Sequence, residues 1–115
     1  MRHSHKIYQN LQNSINGFHI GLKEHSFAVE FLLGVLLIPI LLLTHSHDLV
    51  FYLLIVSYFM LLSVELLNTA IERICNKITL EYDDDIKAVK DLSSAAVFIL
   101  VILNGVLLIT ILLGD

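Results

Sequence analysis

Three long apolar runs leave this chain few ways to fold. Phe27–Leu43, Leu49–Val64 and Leu92–Leu113 are each nearly free of charge, and together they occupy about half of the 115 residues. A hydrocarbon core about 30 Å thick is crossed by about 20 apolar residues in an α-helix. The run of 17 residues at Phe27–Leu43 is the short end of that range, and the third run exceeds it. The composition agrees: 57% of residues are hydrophobic and only 16% charged. A water-soluble domain of this size has too much surface to cover for such a composition. The expected fold class is an all-α integral membrane protein, a single domain over residues 1–115. It has an N-terminal amphipathic surface helix and three transmembrane helices.

The surface helix is read from periodicity. Ile7, Leu11, Ile15, Phe18 and Leu22 recur at helical spacing, with Gln9, Asn10, Gln12, Asn13, Asn16 and His19 on the other side. A helix over about 7–23 therefore presents an apolar stripe. It can lie in the membrane interface or pack on its own bundle; the stripe favours the interface. The spans are expected at about 27–43, 49–78 and 92–113, the second continuing past the membrane. Pro39 should kink the first or open its last turn. In the third, Ser94-Ala95-Ala96 suits close helix packing, and Asn104 suits an interhelical hydrogen bond.

All seven basic residues fall on one side: Arg2, Lys6 and Lys23 before the first span, and Arg73, Lys77, Lys87 and Lys90 between the second and third. That side should be cytoplasmic, which puts the N-terminus inside and the C-terminus outside. The same basic residues are scattered singly, so no nucleic-acid-binding patch exists. No apolar stretch in the first twenty residues resembles a cleavable leader. Cys75 is alone, which excludes an internal disulfide and leaves a small buried apolar side chain as its reading. His3 with His5, and His45 with His47 in the turn before Asp48, are weak metal signals with no further ligands nearby.

Unexplained polarity concentrates in Val64–Val97. Glu65, Asn68, Glu72 and Asn76 return close to one azimuth and form a polar stripe on the second helix. Glu65 lies roughly 24 Å along the helix from Leu49, near the far interface and not at the midplane. Carboxylates there are costly unless they face protein, water, metal or substrate, so the stripe is a candidate site. An oxygen-rich set of this kind suits a hard cation such as Mg²⁺, which commonly arrives with substrate phosphates. Glu65 and Glu72 are about 10 Å apart along the axis, too far to grip one ion, so separate tasks follow. Lys90 and Asp91 could meet phosphate oxygens and a metal or sugar hydroxyl. Glu24 and Glu30, flanking the first span, read from position alone as solvated or dipole-complementing charges. No Walker A loop, protein-kinase signature, HExxH or GxSxG occurs, so generic motifs name no reaction.

Glu65-Leu-Leu-Asn68-Thr-Ala-Ile-Glu72, Glu81-Tyr82 and Ala88-Val-Lys90-Asp91-Leu-Ser-Ser94-Ala-Ala-Val97 closely resemble the signature of the prokaryotic diacylglycerol kinase family. Weaker matches extend to Lys6, Ser14, Gly17-Phe18 and Glu24-x-x-Phe27-x-x-Glu30. The resemblance implies a homotrimer of three-span subunits in the bacterial inner membrane, moving the γ-phosphate of MgATP to a lipid hydroxyl. It implies Glu65 as general base, Glu24 and Glu72 as magnesium ligands, and a nucleotide site that adds Lys6, Asn68, Glu81, Tyr82, Asp83, Lys90 and Asp91. Lys6, Glu65 and Ser94 would meet the lipid. Four departures stand out. Lys6 replaces an arginine, Asn76 an aspartate and Ser93 a glycine, and the interval from Gly17 to Glu24 is one residue shorter. Of the family's two branches, the Glu81-Tyr82 pair and the Lys-Asp-Leu-Ser-Ser-Ala-Ala run favour diacylglycerol over undecaprenol. A different class remains as the alternative, a small membrane transporter or assembly subunit; against it, proton-coupled carriers place their acids near the midplane.

Overall fold

The computed structural model describes residues 2–114. The described residues form four helices: α1 (Arg2–Leu22), α2 (His25–Thr44), α3 (Leu49–Ile78) and α4 (Asp84–Gly114). Among the described residues there is no strand, and α2, α3 and α4 are each long and apolar enough to cross a membrane. The assembly is a slab of 49 × 47 × 21 Å. Its thin dimension is about two helix diameters, so no residue lies deep inside. Most apolar side chains of the three spans face outward, where lipid or another protein surface must cover them.

α3 and α4 pack against one another along most of their length, and α2 lies on α3. At the end near the 45–48 turn, Leu41, Phe51, Leu54 and Ile111 form a small core, with Val50, Ile55, Leu107 and Leu108 around it. Asp48 starts α3 by accepting a hydrogen bond from the Phe51 amide at 3.0 Å, satisfying one of the amides a helix start leaves open. His47 donates from Nε2 to the Leu42 carbonyl at 2.8 Å and stacks on Phe51 at 4.9 Å between ring centroids. His47 thus closes the α2–α3 turn. Halfway along, Asn104 of α4 donates to the Ser57 carbonyl of α3 at 3.2 Å, the interhelical bond its sequence position suggested. Ser94, Ala95 and Ala96 are exposed; the small residue that faces α3 is Ser93.

The elements are longer than hydropathy alone indicates. α1 begins at Arg2, ahead of the first periodic residue Ile7, because nothing in Arg2–Lys6 breaks a helix. α2 runs through Pro39 to Thr44 without interruption. α4 begins at Asp84, well before the apolar run at Leu92. The acidic residues ahead of the third apolar run are a helix start: Asp83 Oδ1 accepts from the amides of Asp85 and Ile86, both at 3.0 Å. Asp84 and Asp85 complement the positive end of the helix dipole. Between the helices, Thr79 ends α3 with its amide on the Cys75 carbonyl and its hydroxyl accepting from the Glu81 amide, each at 3.0 Å.

Only the end of α1 packs on the bundle. Phe18 meets Phe27 and Phe31 edge to face at centroid distances of 5.5 and 5.2 Å, and Phe27 is 1% exposed. Gly21 sits where a Cβ would overlap Leu66 Cδ2, so any larger residue at this corner has to displace the tip of the Leu66 side chain. Ile7, Leu11 and Ile15 remain open on one side of α1, as a helix lying in the membrane interface requires.

Candidate functional site

The α3 stripe is the structural centre of the site. Glu65 is 5% exposed and faces α2, where the Glu30 carboxyl stands beside its own, close enough for a side-chain hydrogen bond. One Glu30 oxygen, Oε2, is buried without a hydrogen-bond partner. A carboxyl oxygen left bare at a membrane interface is unusual, since buried polar groups are nearly always paired. Glu30 did not stand out from its position near the start of α2. The available signal was that a charge lies within an otherwise apolar span, which by itself marks a functional candidate.

Glu30 is held by a contact from α3. The Tyr58 hydroxyl reaches the carbonyl oxygens of Glu30 and Phe31 at 3.0 and 3.1 Å. It can do so because residue 34 is glycine: a Cβ there would stand 2.7 Å from Tyr58 Cε1 and nearer still to Cζ and the hydroxyl. Gly34 therefore admits the ring, and the ring fixes the α2 turn that carries Glu30.

One helical turn below Glu65, three polar side chains form a chain. Ser93 Oγ of α4 donates to Asn68 Oδ1 at 2.7 Å, and Asn68 Nδ2 donates to Glu72 Oε1 at 3.2 Å. Farther down, Lys90 Nζ donates to Asn76 Oδ1 at 2.8 Å. Two of the positions where the sequence departs from the familiar pattern, Asn76 and Ser93, are thus among those whose side chains tie α3 to α4. At the α1–α2 corner, Glu24 precedes α2 and its Oε1 lies 3.8 Å from Arg73 Nη2, the residue after Glu72. Both side chains are well exposed, so the pair contributes little to stability. Its geometric meaning is that Glu24 is carried to the turn of α3 that bears Glu72.

The remaining candidates lie outward. Glu81, Tyr82 and Asp83 occupy the exposed α3–α4 connection, Tyr82 at 77% exposure. Asp83 has a local task as the cap of α4. Asp91 is exposed and bound to Lys87 Nζ at 2.8 Å. Ser94 points away from the α3 face that Ser93 occupies. Lys6 is exposed on α1, about 12 Å along the helix from Ser14, which lines the groove between α1 and α3. A single chain therefore gathers Glu30, Glu65, Asn68, Glu72, Lys90 and Glu24 along one side of α3 and leaves Lys6, Glu81, Tyr82, Asp91 and Ser94 on the surface.

The donors along that side are carboxylate and amide oxygens and one ammonium. This is the chemistry of a hard divalent cation with phosphate, which prefers oxygen ligands to sulfur or nitrogen. Among the described residues no three acidic, histidine or cysteine side chains converge on one point. An ion here would complete its shell with phosphate oxygens and water, as magnesium ordinarily does. A family model described as prokaryotic diacylglycerol kinase matches residues 12–112 of the chain. No curated protein matches it.

Proposed function

From the chain's membership of the prokaryotic diacylglycerol kinase family, which makes it a multi-pass membrane lipid kinase, we propose that it transfers the γ-phosphate of ATP to diacylglycerol, giving phosphatidic acid at the cytoplasmic face. The observation that carries this reading is the buried Glu65 carboxyl at the membrane end of the α3 stripe. Glu65 takes the proton of the lipid hydroxyl as its oxygen attacks the γ-phosphorus. The bond from that phosphorus to the β-phosphate bridging oxygen breaks, and ADP leaves. A base is needed there because a hydroxyl is a poor nucleophile.

Glu24 and Glu72 would hold Mg²⁺, which supplies neutralisation of the phosphate charge that builds up during transfer. Asn68 and Lys90 line the same side of α3 and α4, where Lys90 can meet a phosphate as a point charge. Lys6, Glu81, Tyr82, Asp83 and Asp91 are assigned to the nucleotide by resemblance, and Lys6 and Ser94 to the lipid. Their outward positions in one chain, together with the slab's thin cross-section, support a homotrimer in which copies cover one another's apolar faces. The orientation follows from the basic residues, all at the end of the bundle that carries the stripe.

The test is transfer of radiolabelled phosphate from MgATP by purified protein in mixed micelles, with diacylglycerol and undecaprenol supplied separately and Glu65→Gln alongside. Label in diacylglycerol, lost in the variant, is the expected result. Label in undecaprenol alone would move the protein to the other branch with the site intact. No label in either lipid from folded protein that binds ATP would overturn the kinase reading in favour of a transporter or assembly subunit.

A further inference from the structure

The chain from Ser93 through Asn68 to Glu72 has a direction, and its source is a side chain to which the family resemblance gives no role. Ser93 is 9% exposed, packed between α4 and α3. Its hydroxyl has one proton, and two acceptors are in reach: Asn68 Oδ1 at 2.7 Å and the Lys90 carbonyl at 3.0 Å. The shorter contact goes to the amide. Once the amide oxygen accepts from Ser93, the NH₂ group must point the other way along the same side chain. That is where Glu72 Oε1 lies, at 3.2 Å.

An asparagine amide is nearly symmetric in shape and opposite in polarity at its ends. Without a donor on its oxygen, nothing on α4 keeps the Asn68 amide from turning its oxygen toward the Glu72 carboxylate, where two acceptors would face each other. With Ser93 in place, one Glu72 oxygen is held by a donor, so the carboxylate is fixed in rotation and its second oxygen is presented elsewhere. We infer that Ser93 is a positioning residue for Glu72, acting through Asn68, and that it governs the metal and nucleotide side of the site and not the lipid side. The inference rests on the proposed assignment of Glu72 to the metal. Glycine, the familiar residue at this position, cannot do this, so the device belongs to chains with a hydroxyl here.

The experiment compares the full-length protein with Ser93→Ala, which is close to isosteric, and Ser93→Thr, which restores the hydroxyl. Mn²⁺ binding to the purified protein in the presence of ATP is read by electron paramagnetic resonance, and KM is measured separately for MgATP and for lipid. Losing one orienting hydrogen bond should weaken Mn²⁺ binding about fivefold and raise the MgATP KM by a similar factor. The lipid KM should stay within error, and threonine should recover most of the loss. Unchanged Mn²⁺ affinity in Ser93→Ala, or equal rises in both KM values, would overturn the inference. Glu72→Gln separates the two levels. If that variant binds Mn²⁺ as well as the natural protein, the assignment of Glu72 to the metal itself fails; if it loses Mn²⁺ while Ser93→Ala binds Mn²⁺ normally, only the role of Ser93 fails.

Discussion

Replacing Gly34 by alanine tests the close approach of α2 and α3 at the point where the site is built. The new methyl would stand 2.7 Å from Tyr58 Cε1, with Cζ and the hydroxyl nearer. Ordinary carbon contacts begin near 3.4 Å, so the ring must withdraw or the helices must part. Overpacking of this kind costs about 1–3 kcal/mol. Withdrawal also breaks the Tyr58 bonds to the Glu30 and Phe31 carbonyls, and interhelical hydrogen bonds in membranes are worth about 0.6 kcal/mol on average. Against this, alanine recovers about 0.5–1 kcal/mol of helix propensity relative to glycine. The balance is a loss of about 2 kcal/mol. Reversible unfolding in mixed micelles with increasing SDS gives the measurement, made in the natural background and in Tyr58→Leu. With the ring gone the methyl has room, and the substitution should become neutral or slightly stabilising, so the double-mutant cycle should show a coupling of about 2 kcal/mol. An equal cost in both backgrounds would refute the contact. No cost in either would mean that the helices do not approach as described.

Two further outcomes follow from the hydrogen-bond geometry. Asp83→Ala should destabilise the start of α4 by about 1 kcal/mol, whereas Asp83→Ser keeps a capping oxygen; hydrogen exchange of the Asp85 and Ile86 amides reads the difference, and equal protection in both variants would count against the cap. If serine preserves the cap but still raises the MgATP KM, Asp83 also meets the nucleotide. Asn104→Leu removes the bond to the Ser57 carbonyl and should cost about 0.6–1.7 kcal/mol in the same SDS titration; a stabilised variant would show that the bond does not hold α3 to α4.

The spans were legible because hydropathy is a one-dimensional property: an apolar run long enough for a bilayer needs no partner to be recognised. The polar stripe on α3 was legible for a similar reason, since Glu65, Asn68, Glu72 and Asn76 share a face by helical spacing alone. Contacts between helices were not. Glu30 looks like a flanking charge until α3 is laid beside α2, and Tyr58 looks like one more aromatic residue until Gly34 gives it access to a carbonyl. Ser93 and Ser94 are adjacent letters of equal chemistry, and only the rotation of α4 decides that the first faces α3. The α4 start lay outside the expected span because hydropathy marks only the apolar run from Leu92, although Asp83, Asp84 and Asp85 are a good cap and first turn.

α3 carries the apolar run and the polar stripe on one unbroken helix, Leu49–Ile78, so the anchor and the stripe are parts of a single rod. With about 1.5 Å of rise per residue, the separation between the outer end of α3 and Glu65 is set by residue count and cannot adjust. Bilayers differ in hydrocarbon thickness from about 27 to 33 Å, and the rod can answer only by tilting or by bending the lipid around it. The height of Glu65 against the headgroups is therefore a property of the protein and membrane together. Under the role proposed for Glu65, bilayer thickness enters the reaction as a coordinate: it decides how far a lipid hydroxyl must rise or sink to reach the carboxyl.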